Sequence, residues 1–503
     1  MINLKKMAAA GALFAAAVSV NANAVCFRFD DNQSIEVWNT LGDVFRKHNA
    51  RFSMSLIPCS YGADNAQWRK LICQMESDGF EILDHTPQHN TLSMRLPEGS
   101  PLLKELADAP FVDHINQNQV CLKYYVGSSV VLNNIKIDIR DKKYILCKIP
   151  GVVINHRSVL EINGKHYYAV KDNASGGLML LSMWGENNVN LPDGDDVPAK
   201  VLKTAFRPYP GAVDFLVKQS QEGFRRIGLK KMPSVWIQPG GLYPHYETEG
   251  LREVLLKYGY VSASTTSYPS IKGFNDPDWE RSRFAMRWGN FNLENLNLQL
   301  AKHKIAMTTA CHRVAIGSSH VTPARRGKLK EYAKLHDELL AWLKKNNIKV
   351  MNQSELALYL REYKIDPDKN IMPSFTRDID EDGLPDGYSF NRKTSFADGA
   401  VQLVGTGHLF CISHLCGLPH GRVKFSAEWQ GSFTGEVAFA FIGAKRRLGQ
   451  KSLPVSFSNS PGVKSELVFE IPKGTVALQF AVNSSSEKSR AALKKLDLRR
   501  AAE

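Results

Sequence analysis

From Val25 onward the apolar positions fall into short continuous runs separated by stretches with helical spacing. Cys26-Phe-Arg-Phe-Asp30 is a strand pattern; after Ser34, a helix-capping residue type, Val37, Trp38, Leu41, Val44 and Phe45 recur along one helical face. Arg51 to Pro58 reads as a second strand, Trp68 to Met75 as a second helix closed by Gly79, and Phe80 to Leu83 as a third strand. Alternation of this kind specifies a parallel sheet, whose ligand sites lie at the C-terminal ends of the strands. Between about Phe111 and Pro198 the rhythm becomes β-rich, with a hairpin signal at Asn163-Gly164. The α/β pattern then resumes: a helix near Gly211 to Gly228, a strand from Ser234 to Gln238, a helix from Glu249 to Tyr258, and Lys304 to His312 read as an apolar strand ending in histidine. An amphipathic helix from Leu335 and one more strand close this part. From Tyr388 to Leu498 short alternating strands with turn residues between them predict a β-sandwich. The expected class is α/β with an inserted β subdomain at 111–198, spanning 25–365, followed by an all-β sandwich module at 366–503.

Candidate chemistry gathers at two strand ends. His85 and His89 follow the third strand, four positions apart; a helical turn there places both imidazoles on one face, ready to share a cation. A carboxylate to complete the set stands at the end of the first strand, in Asp30-Asp31.

Phe29-Asp30-Asp31 and His85-Thr-Pro-Gln-His89, in this order and about one βαβ unit apart, resemble the polysaccharide deacetylases with the NodB-homology fold, carbohydrate esterase family four, and mark the chain as a divergent member. The resemblance implies an irregular (β/α) barrel and a metal-dependent hydrolase, with zinc as the expected metal. It assigns Asp31, His85 and His89 as metal ligands and Asp30 as general base. The family's third motif, Arg-x-Pro-Tyr, aligns on Pro239. That puts Ile237 where the arginine belongs and leaves the Gly240 amide as the oxyanion donor. Asn275-Asp276-Pro277-Asp278-Trp279 resembles the fourth motif, so Asp276 or Asp278 is expected to orient the general acid, and His312 stands where the last motif places that acid.

The implied reaction is hydrolytic removal of acetyl, N-linked or O-linked, from a polysaccharide. The missing arginine keeps a second reading open, a catalytically impaired, carbohydrate-binding protein on the same scaffold. Asp378, Asp380, Asp382 and Asp386 alternate before glycines as calcium loops do, and the segment resembles the lead-in of secreted β-sandwich modules, so Ca2+ is expected there.

Residues 1–24 carry Lys5 and Lys6, an apolar run too short to span a bilayer, and Ala22-Asn-Ala24, the pattern of a secretory signal; the expected location is secreted or periplasmic. No later stretch is a membrane span. Eight cysteines in an exported chain permit a few disulfides, with Cys121–Cys147 and Cys411–Cys416 the local pairs to test first. A formal net charge of +14 attracts polyanions, which for such a protein means acidic or sulfated glycans. Nucleic acid is not expected, because the basic residues are scattered and the chain is exported.

Overall fold

The computed structural model describes residues 23–502, apart from 61, 141–143, 147–158, 172–177, 187–190, 192–193, 240–247, 265–289, 363–364, 412–414, 417–419 and 444–446. Its first unit is a seven-stranded sheet of β1 (Ala24–Asp30), β2 (Ser53–Leu56), β3 (Glu81–Asp84), β4 (Val235–Ile237), β5 (Ser262–Ser264), β6 (Ala315–Ser319) and β7 (Lys349–Val350). The order is β5-β4-β3-β2-β1-β6, with β7 also on β1, and every pairing is parallel. Over it lie α1 (Ile35–Lys47), α2 (Ala66–Ser77), α3 (Ala212–Ile227), α4 (Thr248–Lys257), α5 (Leu298–Ala310), α6 (Thr322–Arg325), α7 (Leu329–Lys345) and α8 (Gln353–Glu362). This is an irregular (β/α) barrel.

β1 is central and buried along its whole length. Its alternation decides what each face does. Phe27 and Phe29 join Trp38, Phe45 and Phe52 in the core beneath α1 and α7, while Arg28 and Asp30 face the opposite way, into the interior. Ser34 caps α1 by accepting the Val37 N–H, as its residue type suggests.

That core also encloses His336 of α7, whose ring lies 5.5–6.0 Å from those of Phe27, Phe29 and Phe45. Its one described hydrogen bond is with the Tyr332 carbonyl, and burial pulls its pKa down from 6.5 to about 4. A histidine held neutral in the fold must charge in acid, so the unfolded chain binds the extra proton between pH 6.5 and 4. Stability is full above 6.5 and falls as pH drops towards 4, by on the order of 2–3 kcal/mol from this group. His336→Met is expected to flatten the pH dependence of the melting temperature over that window; an unchanged slope would assign the acid sensitivity elsewhere.

The insertion folds as a closed antiparallel barrel of Tyr124–Arg140, Tyr144–Leu146, Val159–Ile162, Lys165–Lys171, Leu178–Ser182 and Gly194–Pro208. At its predicted hairpin, Asn163 and Gly164 both have positive φ, 49° and 73°, as a type I′ turn requires. The C-terminal strands form a nine-stranded antiparallel sheet curled around Phe425, Trp429, Phe439, Phe469 and Phe480, the expected β-sandwich.

Candidate metal centre

β1 and β3 deliver the three expected ligands to one point. Asp31 leaves β1 with φ 69°, in the left-handed region, and turns its carboxylate towards the end of β3. His85 and His89 are not on a helix. They converge through a tight turn in which Thr86 and His89 have φ of 66° and 57°, and their rings sit 4.7 Å apart. Asp31 Oδ1 is 3.6 Å from His85 Nε2 and 3.4 Å from His89 Nε2.

Each of these three atoms is buried and lacks a hydrogen-bond partner. Orphaned buried polar atoms are costly, and three facing one another need a common partner. A cation fits. Ligands at ~2.0–2.2 Å from a tetrahedral ion are separated by roughly 3.3–3.6 Å, the spacing found here.

The electrostatics agree with a ligand role. The Ile237 carbonyl, 2.9 Å from His85 Nδ1, can only accept, so Nδ1 carries the hydrogen and the Nε2 lone pair faces Asp31. Burial holds the His85 pKa below its usual value; burial and then the neighbouring His85 pull His89 down to about 4. Neither imidazole carries the proton that an ion pair with Asp31 requires, and both lone pairs are available at neutral pH.

The residues behind the ligands were not anticipated. Asp84, fully buried at the end of β3, accepts from Ser220 Oγ and Tyr260 Oη, both at 2.5 Å, and from the Thr86 N–H at 2.9 Å. This fixes the strained turn between the histidines. Burial raises the Asp84 pKa to about 6. On the other side, the Asn32 side chain bonds the Ile57 N–H and carbonyl and Ser60, tying the end of β1 to that of β2.

Asp30 is held by its own strand. Arg28 Nε and Nη2 reach its two oxygens at 2.8 and 3.1 Å, with both side chains fully buried, and Arg28 Nη1 donates to Ser264 Oγ of β5. β4 lacks an arginine, but β1 supplies one two residues before the acid. The signal was there, because residues i and i+2 of a strand share a face.

His312 is not at the centre. Lys304 to Ala310 belongs to α5, a helix rather than a strand, capped by Cys311. His312 follows that helix, half-buried, with Nε2 3.0 Å from the Ile371 carbonyl at the seam with the C-terminal unit. The α5 stretch misleads because residues Ile305 to Ala310 are all buried, and a helix covered on every side loses its periodicity. The strand that follows α5 and pairs with β1 is β6, and His320 follows it, next to the end of β1 where Phe29 pairs with Ser319. Its charge, if present, would depress the His89 pKa. Glu294 accepts from the His320 N–H at 2.5 Å and from Ser319 Oγ at 2.9 Å, with His320 Nδ1 3.9 Å away. β6 was hard to read because it is built of small residues. At Gly317 a Cβ would stand 2.7 Å from the Phe291 ring, so no larger residue fits there. Gly240, Asp276 and Asp278 lie outside the described residues.

In the C-terminal acidic segment, Asp378, Asp380 and Asp386 converge, while Asp382 sits with Asp380 and His303. Asp378 accepts the N–H groups of Asp382 and Gly383, Arg377 pairs with Asp386 at 2.8 Å, and burial pushes the Asp386 carboxyl up to about 7. The segment braces the barrel: Gln299 donates to the Asp380 carbonyl, Trp342 to that of Ile379, and Arg377 to that of Ala306. Cys121 is a free thiol, so the pairing with Cys147, which lies outside the described residues, is not made; the side chains of Cys411 and Cys416 also lie outside them. Among the described residues no helix is long and apolar enough to cross a membrane, and residues 1–22 are outside them.

No protein-family model matches the sequence, and no curated protein does. Solved structures are similar in part. A peptidoglycan N-acetylglucosamine deacetylase is 11% identical over 67% of this chain and 87% of its own, with a TM-score of 0.29. The module TmCBM61, in complex with β-1,4-galactotriose, is 14% identical over 23% of this chain and 87% of its own, with a TM-score of 0.19. The enzymatically active domain of a bacteriophage CBA120 tailspike is 11% identical over 22% of this chain, with a TM-score of 0.19, and the chain spans 19% of it. The chemistry rests on the geometry above, not on these likenesses.

Proposed function

We propose that this chain is an exported, metal-dependent deacetylase that hydrolyses acetyl groups, N-linked or O-linked, on a polysaccharide. The observation that carries the reading is the set of three orphaned ligand atoms, Asp31 Oδ1, His85 Nε2 and His89 Nε2, facing one another at the spacing of one ion. One carboxylate and two imidazoles suit zinc, which when bound supplies a Lewis acid and a water of lowered pKa.

The remaining roles fall to side chains around the three ligands. Asp30 takes the proton of the attacking water. Arg28 grips both of its oxygens and so aims it. His320, steadied by Glu294, gives a proton to the departing amine or hydroxyl in place of His312. The acyl carbon gains the water oxygen, its bond to the sugar nitrogen or oxygen breaks, and acetate leaves.

Metal analysis together with acetate release from N-acetylated hexosamine oligomers tests this. His320→Gln is expected to lower turnover about 10²-fold or more, while His312→Gln stays near wild type. The reverse order would return the acid to His312. One observation favours the second reading: both Asp30 oxygens are already engaged by Arg28, which weakens the base. Metal and glycan bound with no acetate released from any substrate would leave a carbohydrate-binding protein.

A further inference from the structure

We propose that the glycan crossing this centre is anionic, carrying carboxylate or sulfate groups on both sides of the scissile acetyl. This deepens the deacetylase reading and rests on it for the position of the acetyl group.

Two cavities flank the ligands. The larger, about 800 Å3, begins at Asn32 and Gln33, which follow Asp31, and is walled by the segment after His320. Its cations are Arg325, Lys328 and Lys330. Arg325 joins the cavity to the centre, with Nη2 3.5 Å from Asp31 Oδ2 and the side chain 57% exposed. Lys328 and Lys330 are exposed and form no ion pair among the described residues. Its acids, Glu36 and Glu331, stand in the first turns of α1 and α7, where the helix dipole offsets their charge.

The smaller cavity, about 490 Å3, lies beyond the histidine turn. Gln88, between His85 and His89 in sequence, lines it and exchanges two 2.7 Å hydrogen bonds with the Arg95 backbone. Arg69, Arg95 and Arg226 line this side, against Asp64 and Glu222. Both volumes are in the range of ligand sites.

Cations therefore outnumber acids three to two on each side. A neutral polymer laid across both cavities would strip water from these cations without replacing it, whereas repeated anions pair with them. The formal net charge of +14 adds long-range attraction of the same sign.

The test compares three acetylated hexamers: neutral N-acetylglucosamine, uronate alternating with N-acetylhexosamine, and the sulfated form of the latter. With wild type, kcat/KM is expected to be at least about tenfold higher for an anionic hexamer than for the neutral one, and to fall as salt rises from 0.05 to 0.5 M. In Lys328→Glu/Lys330→Glu, and in Arg95→Glu, that preference is expected to drop about tenfold, through KM. Preference for one anionic form identifies the anion. Equal turnover of all three with a flat salt response overturns the inference and leaves the deacetylase intact. No acetate from any hexamer sinks the deacetylase reading instead. Equilibrium binding of the same hexamers then decides: tighter, salt-sensitive binding of the anionic ones sustains the inference, and equal or absent binding overturns it.

Discussion

Asp30→Asn is expected to keep its metal and lose its turnover. The change leaves Asp31, His85 and His89 untouched, so metal content after gel filtration should match wild type. The amide has nearly the shape of the carboxylate but cannot take a proton from water at neutral pH. Acetate release should fall by about 10²–10⁴-fold, the usual contribution of a positioned base. Asp31→Asn gives the contrasting result, because it weakens one of three ligands, and metal leaves along with activity. Asp30→Asn that stays within threefold of wild type removes Asp30 from the chemistry. Asp30→Asn that has lost its metal makes Asp30 a support of the ligand cluster rather than the base.

The convergence of Asp31 and His85 was legible in the sequence because each follows directly on a short apolar strand, with His89 four residues further on, and strand ends are where a parallel sheet gathers its chemistry. How they converge was not legible. The left-handed turn at Thr86 depends on Asp84, and Asp84 depends on Ser220 and Tyr260, far along the chain. His312 was read at a strand end for a packing reason: the second half of α5, Ile305 to Ala310, is buried on all sides and mimics a strand, while β6 lies beneath Phe291 and had to be built from Gly317 and two serines. The C-terminal strands were readable because the strand Thr475–Ser484 alternates buried and half-buried positions along much of its length. The arginine that holds Asp30 follows the same period-two rule, since Arg28 and Asp30 are two apart on one strand and share its face.

Arg28→Met is expected to cost about 3–5 kcal/mol of stability, because it removes the guanidinium that pairs with both oxygens of the fully buried Asp30. Ser264 Oγ loses its Arg28 donor in the same step. The pair as a whole is a different matter, since burying two charges is itself expensive and a hydrophobic replacement of both can be nearly neutral. Arg28→Met/Asp30→Leu should therefore recover most of the loss in denaturant melts, although it cannot recover activity. Arg28→Lys separates charge from geometry: it restores a cation but not the fork that grips both oxygens, so stability should return further than turnover. If Arg28→Met costs less than about 1 kcal/mol, the guanidinium does not stabilise Asp30 as a buried ion pair, and the way this chain holds Asp30 without an arginine on β4 must be sought elsewhere.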